Sequence, residues 1–237
     1  MKKVNFKDII VFEDKDFMLV NKPPHVSSLD DRNDPVNINK LAKEYNADAQ
    51  VCHRLDKETS GILAIAKNPE AYRHLNIQFE KREVVKVYHA VSAGVHNFKD
   101  DIVDLPILAL KNGIVKIDSK EGKDAATIFN TLKAYNKYTL IECRPVTGRM
   151  HQIRIHLAML KAPIICDNKY GGVEIYLSQL KKKYNLKMET EEKPLIQRVA
   201  LHARSLLFHS LDGQEMIVEA PYPKDFEVLV KQLEKYG

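Results

Sequence analysis

Cysteine is scarce. Cys52, Cys143 and Cys166 are the three in 237 residues, an odd number, widely spaced and without a C-x-x-C pair. That argues against a disulfide framework and against a thiolate zinc site. No apolar run approaches the roughly 20 residues a bilayer-spanning helix needs. The start, Met1 to Asp16, is broken by Lys7, Asp8, Glu13, Asp14 and Lys15 and does not read as a secretory signal. Internal repeats are absent, as is any linker rich in Gly, Ser or Pro. Charge of one sign is in slight excess: 37 Lys and Arg against 32 Asp and Glu leave +5, a weak pull toward an anionic partner. With 44% hydrophobic and 29% charged residues a packed core is feasible and wholesale disorder is excluded. The expectation is a reduced, cytoplasmic, monomeric chain that stays off membranes and folds as one domain over residues 1–237.

Local patterns give many short strands. Ile9 to Phe12 and Phe17 to Asn21 read as strands around a charged turn, and Lys22-Pro23-Pro24 stops the second because proline cannot donate to a ladder. Ser27 to Pro35 reads as a solvated loop. Gly61 to Lys67 is a buried strand, followed by a helix with Asn68 as cap, Pro69 at its first position and Tyr72, Leu75 and Phe79 as its apolar stripe. Val84 to Val95 is a longer strand. Asn112-Gly113 marks a hairpin between ILALK and IVKID, and Asn136 another between Ala126–Ala134 and Tyr138–Arg144. A helix is expected from Thr147-Gly148 to about Leu160, ended by Pro163. Lys181 to Lys193 reads as an exposed, charged excursion. Strands at Ala200–His209 and Glu215–Glu219, then a helix from Asp225 burying Phe226, Leu229 and Leu233, complete the chain. Hairpins with interspersed helices predict an α+β fold with a mixed, largely antiparallel sheet flanked by helices.

Two polar clusters stand out. His53-Arg54-Leu55-Asp56-Lys57-Glu58-Thr59-Ser60-Gly61 directly precedes an apolar strand, so its side chains are displayed at the end of a rigid element. Arg54 and Lys57 flank Asp56 and would favour its carboxylate form; a polar turn with an Asp cap fits the same residues. Arg144 to Arg154 places three arginines around a helix start, suiting a phosphate or a buried carboxylate; an exposed basic helix face fits equally. His151 and His156 lie five apart, a poor match to paired helical metal ligands, and no metal site is expected.

Taken together the clusters are more specific. HRLDKETSGILAIAKN resembles the H-R-L-D-x-x-T-S-G signature of the RluA-type pseudouridine synthases. PVTGRMHQIRIHLAMLKAPIICDNKYGG is similar to that family's T-G-R-x-H-Q-I-R-x-H element and its downstream G/C-D-x-x-Y-G. Lys86-Val87-Tyr88-His89-Ala90-Val91 resembles the K-x-Y-x-A strand, and VNKPPHV, ALHARSLLF and EAPYPKDF resemble three further stretches. The six segments run in one order from about residue 9 to 228. In two places the sequence departs: Pro24-His25 replaces the Pro/Ala-Gly usual after Lys-Pro, and Cys166 stands where the family often has glycine.

The resemblance implies a pseudouridine-synthase-like sheet with the active-site cleft across it and no cofactor; in a third departure, no separate N-terminal RNA-binding domain of the kind many relatives carry is expected. It implies that Asp56 attacks the target nucleotide, that Arg154 is the basic residue pairing with it, and that Tyr88 stacks on the extruded uracil and assists proton transfer. Arg54 helps fill the space left by the flipped base. His53, Arg149 and His151 are carried as substrate-binding residues. The implied partner is a stem-loop of large-subunit ribosomal RNA or of transfer RNA. Two other readings compete: a non-catalytic RNA-binding or ribosome-assembly protein on the same fold, and a glycoside hydrolase, which needs two flanking carboxylates where the motif offers Glu58 alone.

Overall fold

The computed structural model describes residues 4–30, 36–182, 184 and 191–237. In order these form β1 (Ile10–Glu13), β2 (Phe17–Lys22), α1 (Ile38–Tyr45), β3 (Gln50–Val51), β4 (Ser60–Ala66), α2 (Pro69–Glu80), β5 (Val85–Ala93), β6 (Asp101–Asp104), β7 (Ile107–Ala109) and β8 (Val115–Ile117). Then follow β9 (Ala126–Ala134), β10 (Tyr138–Pro145), α3 (Gln152–Met159), α4 (Leu177–Leu180), β11 (Leu201–His209), β12 (Glu215–Glu219) and α5 (Lys224–Tyr236). The class is α+β, with mixed, mostly antiparallel strand pairing and flanking helices, as the hairpin pattern predicts. The chain divides into two compact units, Met1–Tyr88 with His202–Pro221 and His89–Leu201 with Tyr222–Gly237.

In the first unit β4 (SGILAIA) is buried at every position, the mark of a strand covered on both faces. β2 pairs with it antiparallel, from Phe17 opposite Ala66 to Lys22 opposite Gly61, and Phe17, Met18, Leu19 and Val20 are fully buried. Each such side chain contributes about 1.5–3 kcal/mol of burial. On the other side of β4, β11 runs parallel, with Ser60 opposite His202 and Gly61 opposite Ala203. Here the backbones approach so closely that a Cβ on Gly61 (φ +113) would lie 2.1 Å from the Ala203 carbonyl oxygen. α2 starts as expected: the Asn68 side chain accepts the Ala71 N–H at 2.8 Å, with Pro69 in the first turn.

The second unit is built on the antiparallel run β6–β9–β10, with Asp101 opposite Phe129 and Cys143 opposite Phe129. A separate hairpin, β7–β8, pairs Ile107 with Ile117 and Ala109 with Val115, and Gly113 takes its turn at φ 72. Arg198, 1% exposed, ties α5 to this unit by a bidentate pair with Asp225, at 2.7 and 3.0 Å.

Several elements differ from the expectation. α1 falls in a stretch without a visible apolar stripe; it buries only Ile38 and Ala42, and the Asn37 side chain caps it by accepting the Lys40 N–H. β6 is mostly exposed and carries no clear alternation. The helix expected from Thr147 begins only at Gln152, because His151 adopts a left-handed conformation (φ 53, ψ 19) that breaks helical continuity. Parts of the expected Ser27–Pro35 loop and of the Lys181–Lys193 excursion lie outside the described residues.

Both departures from the family's glycines sit at left-handed backbone: His25 at φ 65 and Cys166 at φ 61. Glycine adopts that region freely, whereas other residues bear strain. His25 is exposed, so His25→Gly is expected to stabilise the protein by about 0.5–1 kcal/mol, read as a higher urea midpoint. Gly61→Ala should do the opposite, costing at least about 3 kcal/mol; a midpoint close to that of the parent protein would show that β4 and β11 can separate.

Candidate active site

The turn carrying Asp56 is pinned along its length. Before it, the Cys52 N–H donates to the Ala64 carbonyl, and the Ala64 N–H donates to His53 Nε2 at 3.1 Å. At Leu55, the Ser28 hydroxyl accepts the backbone N–H and donates to the carbonyl, both at 3.0 Å. After it, the Lys57 carbonyl accepts from the His25 N–H at 2.8 Å and from Lys22 Nζ at 3.2 Å. Lys22 is fully buried and also donates to the carbonyls of Pro23 and Val26. A buried ammonium is costly unless its hydrogens find acceptors, and those three oxygens supply them. At the start of β4, Ser60 Oγ lies 3.0 Å from His202 Nδ1, while His202 Nε2 lies 3.1 Å from the Ala220 carbonyl. That carbonyl can only accept, so Nε2 carries a proton and the ring is locked in place between β4 and the Ala220 carbonyl.

Asp56 itself is half-buried, its carbonyl accepting the Thr59 N–H at 3.0 Å. Tyr88, on β5, is half-buried and packs on the same core. Its hydroxyl is held well above the ordinary phenol range, first by burial and then by the negative charge of Asp56. The first unit therefore brings Asp56 and Tyr88 within electrostatic reach across 32 residues of sequence. Lys86 lies two residues before Tyr88, on the same face of the strand. Burial and the charge of Arg82 lower its ammonium to about 8. Arg54 is exposed.

In the second unit the T-G-R-x-H-Q-I-R-x-H element separates into two sets of roles. Thr147 donates to Gln152 Oε1 at 2.6 Å, the Arg149 N–H reaches that same oxygen at 3.0 Å, and Gln152 Nε2 donates to the Ala126 carbonyl. His156 is buried between Thr127 Oγ1 at 2.9 Å and the Leu105 carbonyl at 3.1 Å. These residues hold the segment in place. Arg154, 6% exposed, forms a bidentate pair with the fully buried Asp167, from Nε and Nη2, both at 2.7 Å. Its guanidinium carbon lies 5.1 Å from the centre of the Tyr170 ring. The Tyr170 hydroxyl accepts the Val115 N–H at 3.0 Å and lies 2.8 Å from His151 Nδ1. His151 and Arg154 thus meet through Tyr170, and Arg154 belongs to a buried ion pair rather than to an exposed basic face. Arg149 is exposed, with Nε on the Asp124 carbonyl.

Sequence reasoning passed over three residues: Lys22, Asp167 and Tyr170. All three stood in matched segments, in Lys-Pro and in D-x-x-Y-G, but Asp167 and Tyr170 meet Arg154 more than ten residues away, and Lys22 reaches Lys57 across 35 residues. Among the described residues no group of three or more His, Cys, Asp or Glu side chains is placed to hold a metal ion, and no helix is long and apolar enough to cross a membrane.

His53 has a property that can be measured directly. Its Nε2 accepts a backbone N–H, so the ring is neutral, and burial followed by the Lys86 charge lowers it to about 3. Between about pH 6.5 and 3 the unfolded chain takes up a proton at this position that the folded chain refuses. The stabilisation present above pH 6.5 is therefore lost as pH falls through that window. Imidazole NMR should show no His53 titration down to about pH 4, and His53→Gln should flatten the acid slope of stability; a His53 transition near 6.5 would contradict the buried acceptor role.

A family model described as RNA pseudouridylate synthase matches residues 16–159. The chain is 37% identical over 241 residues to the ribosomal large subunit pseudouridine synthase C of Buchnera aphidicola subsp. Baizongia pistaciae, covering 96% of this chain and 71% of that relative. It is 32% identical over 242 residues to the ribosomal large subunit pseudouridine synthase D of Haemophilus ducreyi, covering 94% and 70%. Among solved structures, human RNA pseudouridylate synthase domain containing 4 superposes with a TM-score of 0.72 at 25% identity, over 97% of this chain and 95% of that one. An aspartate and a tyrosine brought together at the end of a buried strand, in a chain with these relatives, place it in the RNA pseudouridylate synthase family, as an isomerase acting on RNA.

Proposed function

We propose that this enzyme converts one or more uridines of large-subunit ribosomal RNA or transfer RNA to pseudouridine, with Asp56 as its nucleophile. In that reaction the N1–C1′ bond breaks, the uracil turns and a C5–C1′ bond forms. The proton lost from C5 is matched by one gained at N1, so nothing is consumed. The relatives' names favour ribosomal RNA as the first target to test.

The observation that carries this reading is the pinned turn that sets Asp56 beside Tyr88. A nucleophile must be held at near-attack distance, and a turn anchored on both sides of the carboxylate provides that. Tyr88 offers its ring as a plate for the extruded base, whose removal from its stack costs a few kcal/mol. By the family resemblance Arg154 is assigned as the basic residue of the reaction, and Arg54 as the residue that fills the gap left by the base. Arg149 and His151 contact the RNA backbone. A non-catalytic RNA-binding role would leave the pairing of Asp56 with Tyr88 without a purpose.

Asp56→Asn keeps the shape of the side chain and removes its nucleophilicity. It should lower pseudouridine formation by about 10³-fold or more while RNA binding stays within about threefold. Pseudouridine mapping of ribosomal and transfer RNA from cells carrying only this variant should lack the same sites as a deletion strain; normal modification by Asp56→Asn would remove the nucleophile assignment.

A further inference from the structure

We infer that His53 is a neutral hydrogen-bond donor, through Nδ1–H, to a phosphate oxygen of the RNA strand beside the nucleotide at Asp56. The inference rests on the reading of the Asp56 turn as the place where the RNA binds.

The position of the imidazole proton follows from the backbone. The Ala64 N–H donates to Nε2 at 3.1 Å, and a backbone amide nitrogen has no acceptor role. Nε2 is therefore the acceptor of a neutral ring, and the hydrogen sits on Nδ1. Among the described residues that hydrogen has no hydrogen-bond partner, and Nδ1 is not one of the unpaired atoms sealed from solvent. It is a donor that reaches solvent from the edge of a half-buried ring.

The ring is not free to spend this donor elsewhere. One edge is held on β4 by Ala64, and one face packs on Phe79, with centroids 5.1 Å apart. Turning the ring over would bring a carbon against the Ala64 N–H. Phe79 lies in the last turn of α2, and the end of that helix is itself fixed. The Glu83 N–H donates to the Gln78 carbonyl at 2.9 Å and the Arg82 N–H to the Phe79 carbonyl at 3.2 Å, with Arg82 left-handed at φ 61.

The surroundings select the ligand. The charge of Lys86 reaches the His53 ring, and that of Arg82 reaches Lys86. In a positive field of this kind a donor prefers an acceptor that carries negative charge over a neutral carbonyl. Uncharged donors make many of the phosphate contacts in nucleic-acid complexes. Burial and the Lys86 charge hold the imidazole neutral down to about 3, so the contact stays uncharged across the cellular range. His53 precedes Asp56 by three residues, a span of at most about 11 Å. Between them Leu55 is held by Ser28 through both of its backbone groups. A phosphate on Nδ1 is thereby kept in register with the nucleotide at Asp56.

The test uses His53→Gln, whose amide oxygen can take the Ala64 N–H while the donor at Nδ1 is lost. Binding of transcribed large-subunit ribosomal RNA and of transfer RNA is measured over a range of salt. Affinity for the preferred RNA should fall by about 5- to 30-fold. The slope of log affinity against log salt should not change, because no cation that displaces counterions has been removed. Full affinity, or a loss accompanied by a shallower slope, would overturn the inference. A second measurement needs no variant and decides the matter if His53→Gln does not fold. In nitrogen NMR of the wild-type imidazoles, inorganic phosphate should shift the His53 Nδ1 resonance saturably; a histidine that only fixes the turn would not respond, and that result overturns the inference. Normal modification by Asp56→Asn beside weakened binding by His53→Gln would remove the nucleophile and leave this contact standing. An inactive Asp56→Asn beside full affinity in His53→Gln would do the reverse.

Discussion

The ammonium of Lys22, sealed from solvent and shared among the carbonyls of Pro23, Val26 and Lys57, is the constraint on which the turn carrying Asp56 depends. A charge in that position has no route back to water. It forces the segment after β2 and the segment after Asp56 to present their oxygens to one point. With Ser28 bridging both backbone groups of Leu55 and the Ala64 N–H on His53, the backbone at Asp56 is left few directions in which to move. Removing one partner of such a buried charge costs about 3–5 kcal/mol, because the groups left behind remain unsatisfied. The Lys-Pro dipeptide at the end of β2 is therefore as much a part of the site as the H-R-L-D signature.

Much of this was legible in the sequence, for identifiable reasons. The start of α2 was written locally, in Asn68 and Pro69, and the buried course of β4 in an unbroken apolar run. Asp56, Tyr88 and Arg154 were legible through the ordered motifs that contain them. What was illegible depended on distance or on backbone conformation. Nothing in the composition of Thr147–Met150 shows that His151 will turn left-handed and delay α3 until Gln152. Asp167 and Tyr170 are ordinary residues until the fold brings them to Arg154, 13 and 16 positions earlier in sequence. α1 buries two side chains, too few to show a period.

The T-G-R-x-H-Q-I-R-x-H element shows how one short motif mixes duties. Thr147, Gln152 and His156 spend their polar atoms on backbone and on one another, and so set the course of the chain. His151 and Arg154, three apart, converge instead on Tyr170. A left-handed residue at the helix start has an energetic cost, offset here by the imidazole's hydrogen bond. Resemblance at the level of letters would assign all five residues one importance; their hydrogen bonds separate those that fix the backbone from the two that meet at Tyr170.

The suppressed ionisation of Tyr88 limits what this side chain can contribute. A phenol kept protonated by burial and by a neighbouring carboxylate is, at cellular pH, a donor and an apolar plate; it has almost no population of phenolate. Abstraction of the C5 proton by a Tyr88 anion would begin from a vanishingly rare state. On the proposed reading of the site, its part toward the reacting nucleotide is therefore that of a hydroxyl donor and a ring to stack on, with any base supplied by another group.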